Sequence, residues 1–65
     1  MTTVKNYKEY RIHGVTYFVE KYIEKFHNEW FWRYGYVIST GHIRYGLKLS
    51  DGLRSRPNLK RLFGS

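Results

Sequence analysis

The chain has 65 residues, no cysteine, and 12 Lys and Arg side chains against 5 Asp and Glu, for a formal net charge of +7. This length limits it to one small basic domain over residues 1–65, and the absence of cysteine excludes disulfides and thiolate-bound metal as sources of stability. A domain of this size needs large side chains for its core, and aromatic residues supply them at 20% of the composition.

The N-terminal residues are polar and lack the apolar segment of a signal peptide. No apolar run in the sequence approaches the length of a membrane span. We therefore expect a cytoplasmic protein without a membrane partner. Residues 1–6 are expected to be flexible.

Positive charge is concentrated in the second half of the chain. Residues 1–32 hold five basic and four acidic side chains, whereas residues 33–65 hold seven basic side chains against Asp51 alone. Such asymmetry indicates a polyanionic partner, most often nucleic acid and here DNA before RNA, less often an acidic protein surface. The competing interpretation is a basic surface that serves only solubility.

Two strands are predicted in the first half. Residues 7–12, YKEYRI, form a candidate edge strand that would turn at His13-Gly14. Residues 15–25 fit either a helix with an apolar stripe or a strand. Seven of the ten residues from Val15 to Glu24 are β-branched or aromatic, and like charges would lie four residues apart on a helix. The strand is therefore favoured, with a following turn at His27-Asn28.

The clearest pattern is a hairpin formed by residues 29–39 and 42–49, with its turn at Thr40-Gly41. Both strands alternate, and this turn would pair residues whose numbers sum to 81. One face then carries only apolar and aromatic partners, a pattern that a shift of one residue would destroy. The predicted pairs are Ile38 with Ile43, Tyr36 with Tyr45, Tyr34 with Leu47, and Trp32 with Leu49.

The opposite face of this hairpin would place Gly35 opposite Gly46. Glycine inside a strand often marks a place where another backbone or a ligand comes close. Arg33, Arg44 and Lys48 flank the two glycines, so a phosphate backbone could lie along this strip. This interpretation competes with two simpler ones, in which the glycines permit sheet twist and the cations pair with acidic side chains of residues 15–25.

The tail SRPNLKRLFG predicts a short helix that begins at Pro57. Leu59, Leu62 and Phe63 fall on one side of it, and seven residues form a stable helix only when they dock. We expect docking on the aromatic face of the sheet. Arg54, Arg56, Lys60 and Arg61 then form a basic cluster with no acidic neighbour except Asp51.

The predicted fold is α+β: a three-stranded antiparallel meander with a short C-terminal helix. Residues 7–12 are the candidate for a fourth strand. A twisted three-stranded sheet followed by a helix is similar in outline to the arm-type DNA-binding domains of phage integrases. This similarity is one of layout over residues 15–63. It implies contact between a sheet face and DNA.

The stretch EWFWRYGY, residues 29–36, raises the question of whether its rings form a core or a stacking surface. The predicted register places most of them on the apolar face, so core is the favoured interpretation. Tyr22, Trp30 and Phe31 are the candidate anchors for a protein partner, because aromatic side chains dominate interface energetics.

Catalysis finds no support in the sequence. His13, His27 and His42 lie 14 and 15 residues apart without a ligand motif, and no Gly-rich phosphate loop occurs. We expect neither enzymatic activity nor a metal or other cofactor.

The sequence thus predicts a non-enzymatic accessory or regulatory protein that binds nucleic acid. The alternative is a small phage-like inhibitor that binds an acidic protein partner, and homo-oligomerisation is left open. The predicted phosphate contacts are Arg33, Arg44, Lys48, Arg54, Arg56, Lys60 and Arg61.

Overall fold

A computed structural model describes residues 3–64 of the chain. The chain forms four strands and one helix: β1 (Val4–Ile12), β2 (Val15–Glu24), β3 (Glu29–Thr40), β4 (Ile43–Leu53) and α1 (Leu59–Phe63). The strands make one antiparallel sheet in the order β1-β2-β3-β4. The predicted meander with a short helix is confirmed in outline, but the sheet has four strands rather than three, and the fold is mostly β.

The strand β1 begins at Val4, three residues before the predicted strand at residues 7–12. The sequence pattern did not indicate these residues because a bulge interrupts the alternation. The register with β2 shifts between Lys5 and Lys8, and Asn6 adopts a φ of 56° there. One extra residue reverses the alternation, so a period of two cannot be followed through it. Val4 to Asn6 thus lie inside β1, whereas residues 1, 2 and 65 lie outside the described part of the chain.

Residues 15–24 form the strand β2, so the strand favoured for residues 15–25 is confirmed except for Lys25, and the turn at His13-Gly14 is confirmed. Both turn residues have positive φ, at 52° and 77°, as a type I′ turn requires. The other two predicted turns are wrong. The turn between β2 and β3 takes the four residues 25–28, and the turn between β3 and β4 lies at Gly41-His42.

The register of β3 with β4 therefore pairs Ile38 with Tyr45 and Tyr36 with Leu47, two residues away from the prediction. Gly41 has a φ of +59°, which suits the first central position of a type II′ turn, and this requirement displaces the turn by one residue. Between Gly35 and Thr40 this shift of two residues keeps the side chains on their predicted faces, because side chains alternate with a period of two. Further along β4 the register shifts again, so Tyr34 pairs with Ser50 and Trp32 with Leu53.

The helix α1 covers one face of the sheet, which we call the helix face. Ile12, Val19 and Leu59 are buried there together with Tyr17. The ring of Phe63 stacks on Tyr17 at a centroid distance of 4.3 Å. The predicted docking of the helix on the aromatic face is thus confirmed.

Two details of the helix differ from the prediction. It begins at Leu59, because the side chain of Asn58 accepts a hydrogen bond from the backbone N–H of Arg61 at 3.2 Å and caps the first turn. Leu62 is 52% exposed rather than docked. A helix of five residues touches the sheet only along one i,i+4 line, which here joins Leu59 to Phe63.

Replacing the cap as Asn58→Ala is expected to lower the free energy of unfolding by about 1 kcal/mol, since one N-terminal donor of α1 loses its partner. Urea denaturation followed by tryptophan fluorescence measures the change. Ser55→Ala, at an exposed position before the helix, is the control and should unfold at the wild-type midpoint. An unchanged midpoint for Asn58→Ala would show that the cap contributes nothing.

Candidate nucleic-acid interface

The aromatic face of the sheet is core over β1 to β3 only. Trp32, Tyr34 and Tyr36 pack against the buried cluster beneath α1. The helix does not extend over β4, so the apolar alternation of this strand does not produce a core there. Four of its five apolar or aromatic side chains are exposed by 43% to 63%, and only Leu53 is half-buried: the exposed ones are Ile43, Tyr45, Leu47 and Leu49.

The face opposite the helix, which we call the open face, carries the two strand glycines. They do not face each other: Gly35 pairs with Lys48, and Gly46 pairs with Val37. A Cβ at Gly46 would lie 2.7 Å from the ring of Phe18, and a Cβ at Gly35 would lie 2.0 Å from a backbone carbonyl oxygen of β4. Both glycines are places of close approach, but the approaching atoms belong to the chain itself.

The open face also carries most of the ion pairs. Glu20 binds Arg33 at 2.8 Å, Glu9 on the first strand binds Arg44 on the last, and Asp51 binds Lys48 at 2.9 Å. Outside this group, Glu29 binds Arg54 at 3.2 Å and Glu24 binds His27 at 2.6 Å. Every Asp and Glu of the chain is thus engaged, and four of the seven predicted phosphate contacts already have a carboxylate partner: Arg33, Arg44, Lys48 and Arg54.

A shallow pocket of about 390 Å³ lies on the open face above Phe18. The ring of Tyr7 stacks on Phe18 at 6.0 Å, and its hydroxyl donates to Glu9 at 2.7 Å. Burial, followed by this hydrogen bond and the nearby negative charge, raises the pKa of Tyr7 to about 12. Hydrogen bonds from Tyr7 and then Arg44 lower the pKa of Glu9 below its usual value. The charged side chains that line the pocket are Glu20, Arg33 and Lys48. Glu20 and Arg33 pair with each other and Lys48 pairs with Asp51, so the pocket carries little uncompensated charge.

Most of the uncompensated charge lies instead on the helix face. Four of the twelve cations are ion-paired, which leaves eight without a carboxylate within 4 Å among residues 3–64. Four of these eight converge on aromatic rings, and we call them and their rings the basic aromatic patch. Its contacts are Lys5 over Trp30 at 4.3 Å, Lys21 over Trp32 at 5.5 Å, Arg56 over Trp32 at 5.7 Å, and Lys8 over Tyr10 at 5.3 Å.

The fold concentrates charge in this patch through strand pairing. Lys5 and Lys21 are direct partners across β1 and β2, where like charges are destabilising. Arg56 lies against the same Trp32 ring as Lys21, and its guanidinium also donates to the hydroxyl of Tyr10 at 2.7 Å. A bound anion would relieve this repulsion. Lys60 and Arg61 add two exposed cations on α1, which lies on the same face.

Of the patch cations, the sequence indicated only Arg56. Lys21 interrupts the apolar alternation of residues 15–25, and this interruption was the available signal, because it places a cation on the otherwise apolar face. No comparable indication exists in the sequence for Lys5, because the bulge at Asn6 reverses the alternation of β1 between Lys5 and the rest of the strand.

A basic side chain lies over each of the three candidate anchor rings. Trp30 lies under Lys5 on the helix face. On the open face, Tyr22 lies under the guanidinium of Arg33 at 4.6 Å, and Phe31 lies under that of Arg54 at 5.2 Å. These rings are partly buried, so they are cation-covered surfaces rather than projecting apolar anchors.

Within residues 3–64, no three His, Asp or Glu side chains come close enough to hold a metal ion. The single helix of that part of the chain is too short to cross a membrane. A comparison of the chain with protein-family models, curated proteins and solved structures finds no match in any of the three.

Proposed function

We propose that the protein is a non-enzymatic nucleic-acid-binding protein of the accessory or regulatory kind. The observation that carries the proposal is the basic aromatic patch, in which cations without a carboxylate partner lie over partly exposed rings. Phosphate contacts by such cations supply most of the affinity in sequence-independent binding. Rings among them offer stacking surfaces to bases, as in proteins that bind single strands.

The ion pairs rank the candidate contacts. A phosphate that binds Arg44 or Lys48 must first displace the carboxylate of Glu9 or Asp51, and this exchange of one anion for another gains little. When a phosphate binds a cation that has no carboxylate partner, it displaces no carboxylate of the protein, and binding releases only small counterions. We therefore assign the principal phosphate contacts to Lys5, Lys8, Lys21, Arg56, Lys60 and Arg61, and a secondary role to Arg33, Arg44, Lys48 and Arg54.

A second candidate function is binding to an acidic protein, as a small inhibitor would do. The exposed apolar side chains of β4 favour it, because a protein interface needs an apolar centre beside its charges. Tyr45 and Leu47 would lie at that centre. Replacing both with serine should abolish a protein complex while leaving nucleic-acid binding unchanged.

Binding of the pure protein to duplex DNA, single-stranded DNA and structured RNA over a salt series tests the first proposal. Six phosphate contacts predict that the logarithm of the association constant falls with the logarithm of the salt concentration, with a slope of about −5 for duplex and about −4 for single strands. The preferred nucleic acid distinguishes groove contact from base stacking. No binding to any of the three at low salt would overturn the proposal, and pull-down with acidic protein partners would follow.

A further inference from the structure

The side chain of Phe26 is 96% exposed, more than any other large apolar side chain of the described residues. It lies in the four-residue turn between β2 and β3, at the end of the sheet away from the other two turns. Singly exposed apolar side chains are normal on protein surfaces. The ring of Phe26 stands out by its almost complete exposure at a hydrogen-bonded turn, which leaves both of its faces available to an external partner.

The turn that carries Phe26 is held by one carboxylate. The two oxygens of Glu24 accept the backbone N–H groups of Phe26 at 3.1 Å and His27 at 2.8 Å, and the His27 ring lies 2.6 Å from the second oxygen. Asn28 completes the turn with a φ of 54°. Desolvation alone would raise the pKa of Glu24, but the hydrogen bonds from His27 and Phe26 outweigh it and lower the pKa. Because the pKa of Glu24 is lowered, its carboxylate is ionised at neutral pH, and the turn keeps this geometry there.

The turn directly continues the basic aromatic patch. The last rungs of the ladder before it are Ile23 with Trp30 and Glu24 with Glu29, and Trp30 is the ring beneath Lys5. Phe26 lies three residues beyond Ile23, so at most about 10 Å of chain separates it from the patch. Lys25 beside it has no carboxylate partner among the described residues, and Glu24 is occupied by the turn. A strand bound along the patch would thus reach the ring without meeting a free carboxylate.

We propose that Phe26 stacks on a nucleobase of the nucleic acid whose phosphates lie along the basic aromatic patch. This inference rests on the proposed function and adds a residue that contacts a base rather than a phosphate. Every base presents a flat face, so one aromatic ring binds any sequence. A ring at the tip of a structured turn is prearranged for this contact, so binding does not have to order it.

The test compares Phe26→Ala with wild type on three probes: a short single-stranded DNA, the matched duplex, and the same duplex with one unpaired nucleotide. Loss of one stacked base is expected to weaken binding roughly 5- to 150-fold at every salt concentration. The salt slope should not change, because a neutral ring releases no counterions. Phe26→Tyr should bind as wild type, since it retains the ring.

The matched control is Ile43→Ala, which removes another exposed apolar side chain at the opposite end of the sheet. It should leave binding unchanged. Thermal unfolding of both alanine variants should match wild type, because exposed side chains contribute little to folding. Loss on the single strand and the bulged duplex alone identifies an unpaired base as the partner, whereas equal loss on the matched duplex identifies insertion between base pairs.

Three results would overturn the inference. If wild type binds nucleic acid and Phe26→Ala binds equally on all three probes, the inference fails and the proposed function stands. If Phe26→Ala unfolds at lower temperature, its ring is structural. If wild type binds none of the probes at low salt, the proposed function fails and the inference fails with it.

Discussion

Removing three cations of the basic aromatic patch, as Lys5→Gln, Lys21→Gln and Arg56→Gln, is expected to weaken nucleic-acid binding roughly 100-fold. A non-specific Kd near 10⁻⁵ M corresponds to roughly 7 kcal/mol, and sharing it over six to eight contacts gives about 1 kcal/mol for each. The salt slope on duplex DNA should become less negative by about three, because binding releases about one counterion fewer for each phosphate contact that is lost. Fluorescence anisotropy over a salt series measures both quantities.

The matched control for this variant removes the same amount of charge from ion-paired positions, as Arg44→Gln, Lys48→Gln and Arg54→Gln. These side chains are exposed by 54% to 78% and contact Glu9, Asp51 and Glu29. Exposed pairs stabilise a fold by about 1 kcal/mol or less, so this variant should remain folded. Its salt slope should change by less than one, since its cations already have anionic partners. Equal losses in the two variants would contradict the patch and show that total charge governs binding.

Replacing Gly35 with alanine is expected to detach β4 or unfold the protein. The added Cβ would lie 2.0 Å from the carbonyl oxygen of Leu47, far inside van der Waals contact, and both atoms belong to paired backbones. The two strands can accommodate the methyl group only by separating. β4 has little other packing to hold it, because all of its apolar side chains except Leu53 are exposed. A domain of this size has a free energy of unfolding of roughly 3–5 kcal/mol, so loss of one strand pair removes most of it.

Urea denaturation and amide hydrogen exchange measure the effect of Gly35→Ala, with exchange expected to become fast first in β4. Gly41→Ala is the control: nothing lies within 4 Å of its Cβ, and its φ of +59° costs about 1 kcal/mol. Gly46→Ala should fall between the two, because the atom it would meet belongs to the side chain of Phe18 and not to a paired backbone. Wild-type stability for Gly35→Ala would show that the pairing of β3 with β4 is not as close as described.

The sheet faces could be predicted from sequence because side-chain direction depends only on whether a residue is odd or even within its strand. The hairpin register was displaced by two residues, yet Tyr36 and Leu47 still lie on the helix face, and Gly35 still lies on the open face. The turn position depended on a backbone conformation, the positive φ of Gly41, which composition does not reveal. For the same reason the pattern missed the first three of the nine residues of β1, which are separated from the rest by the bulge at Asn6.

The candidate interface could not be located in this way, because charge neutralisation depends on contacts between distant parts of the chain. By itself the sequence determined the excess of positive charge, the alternation that sorts each strand into two faces, and the docking of a short helix, although it also assigned the exposed Leu62 to the docked side. Only the tertiary structure decided which cations are neutralised. Glu9 reaches Arg44 across 35 positions of sequence, whereas Lys5 and Lys21 meet over two tryptophan rings without a carboxylate. Coulomb energy follows distance in space, and distance in space is set by the pairing of strands.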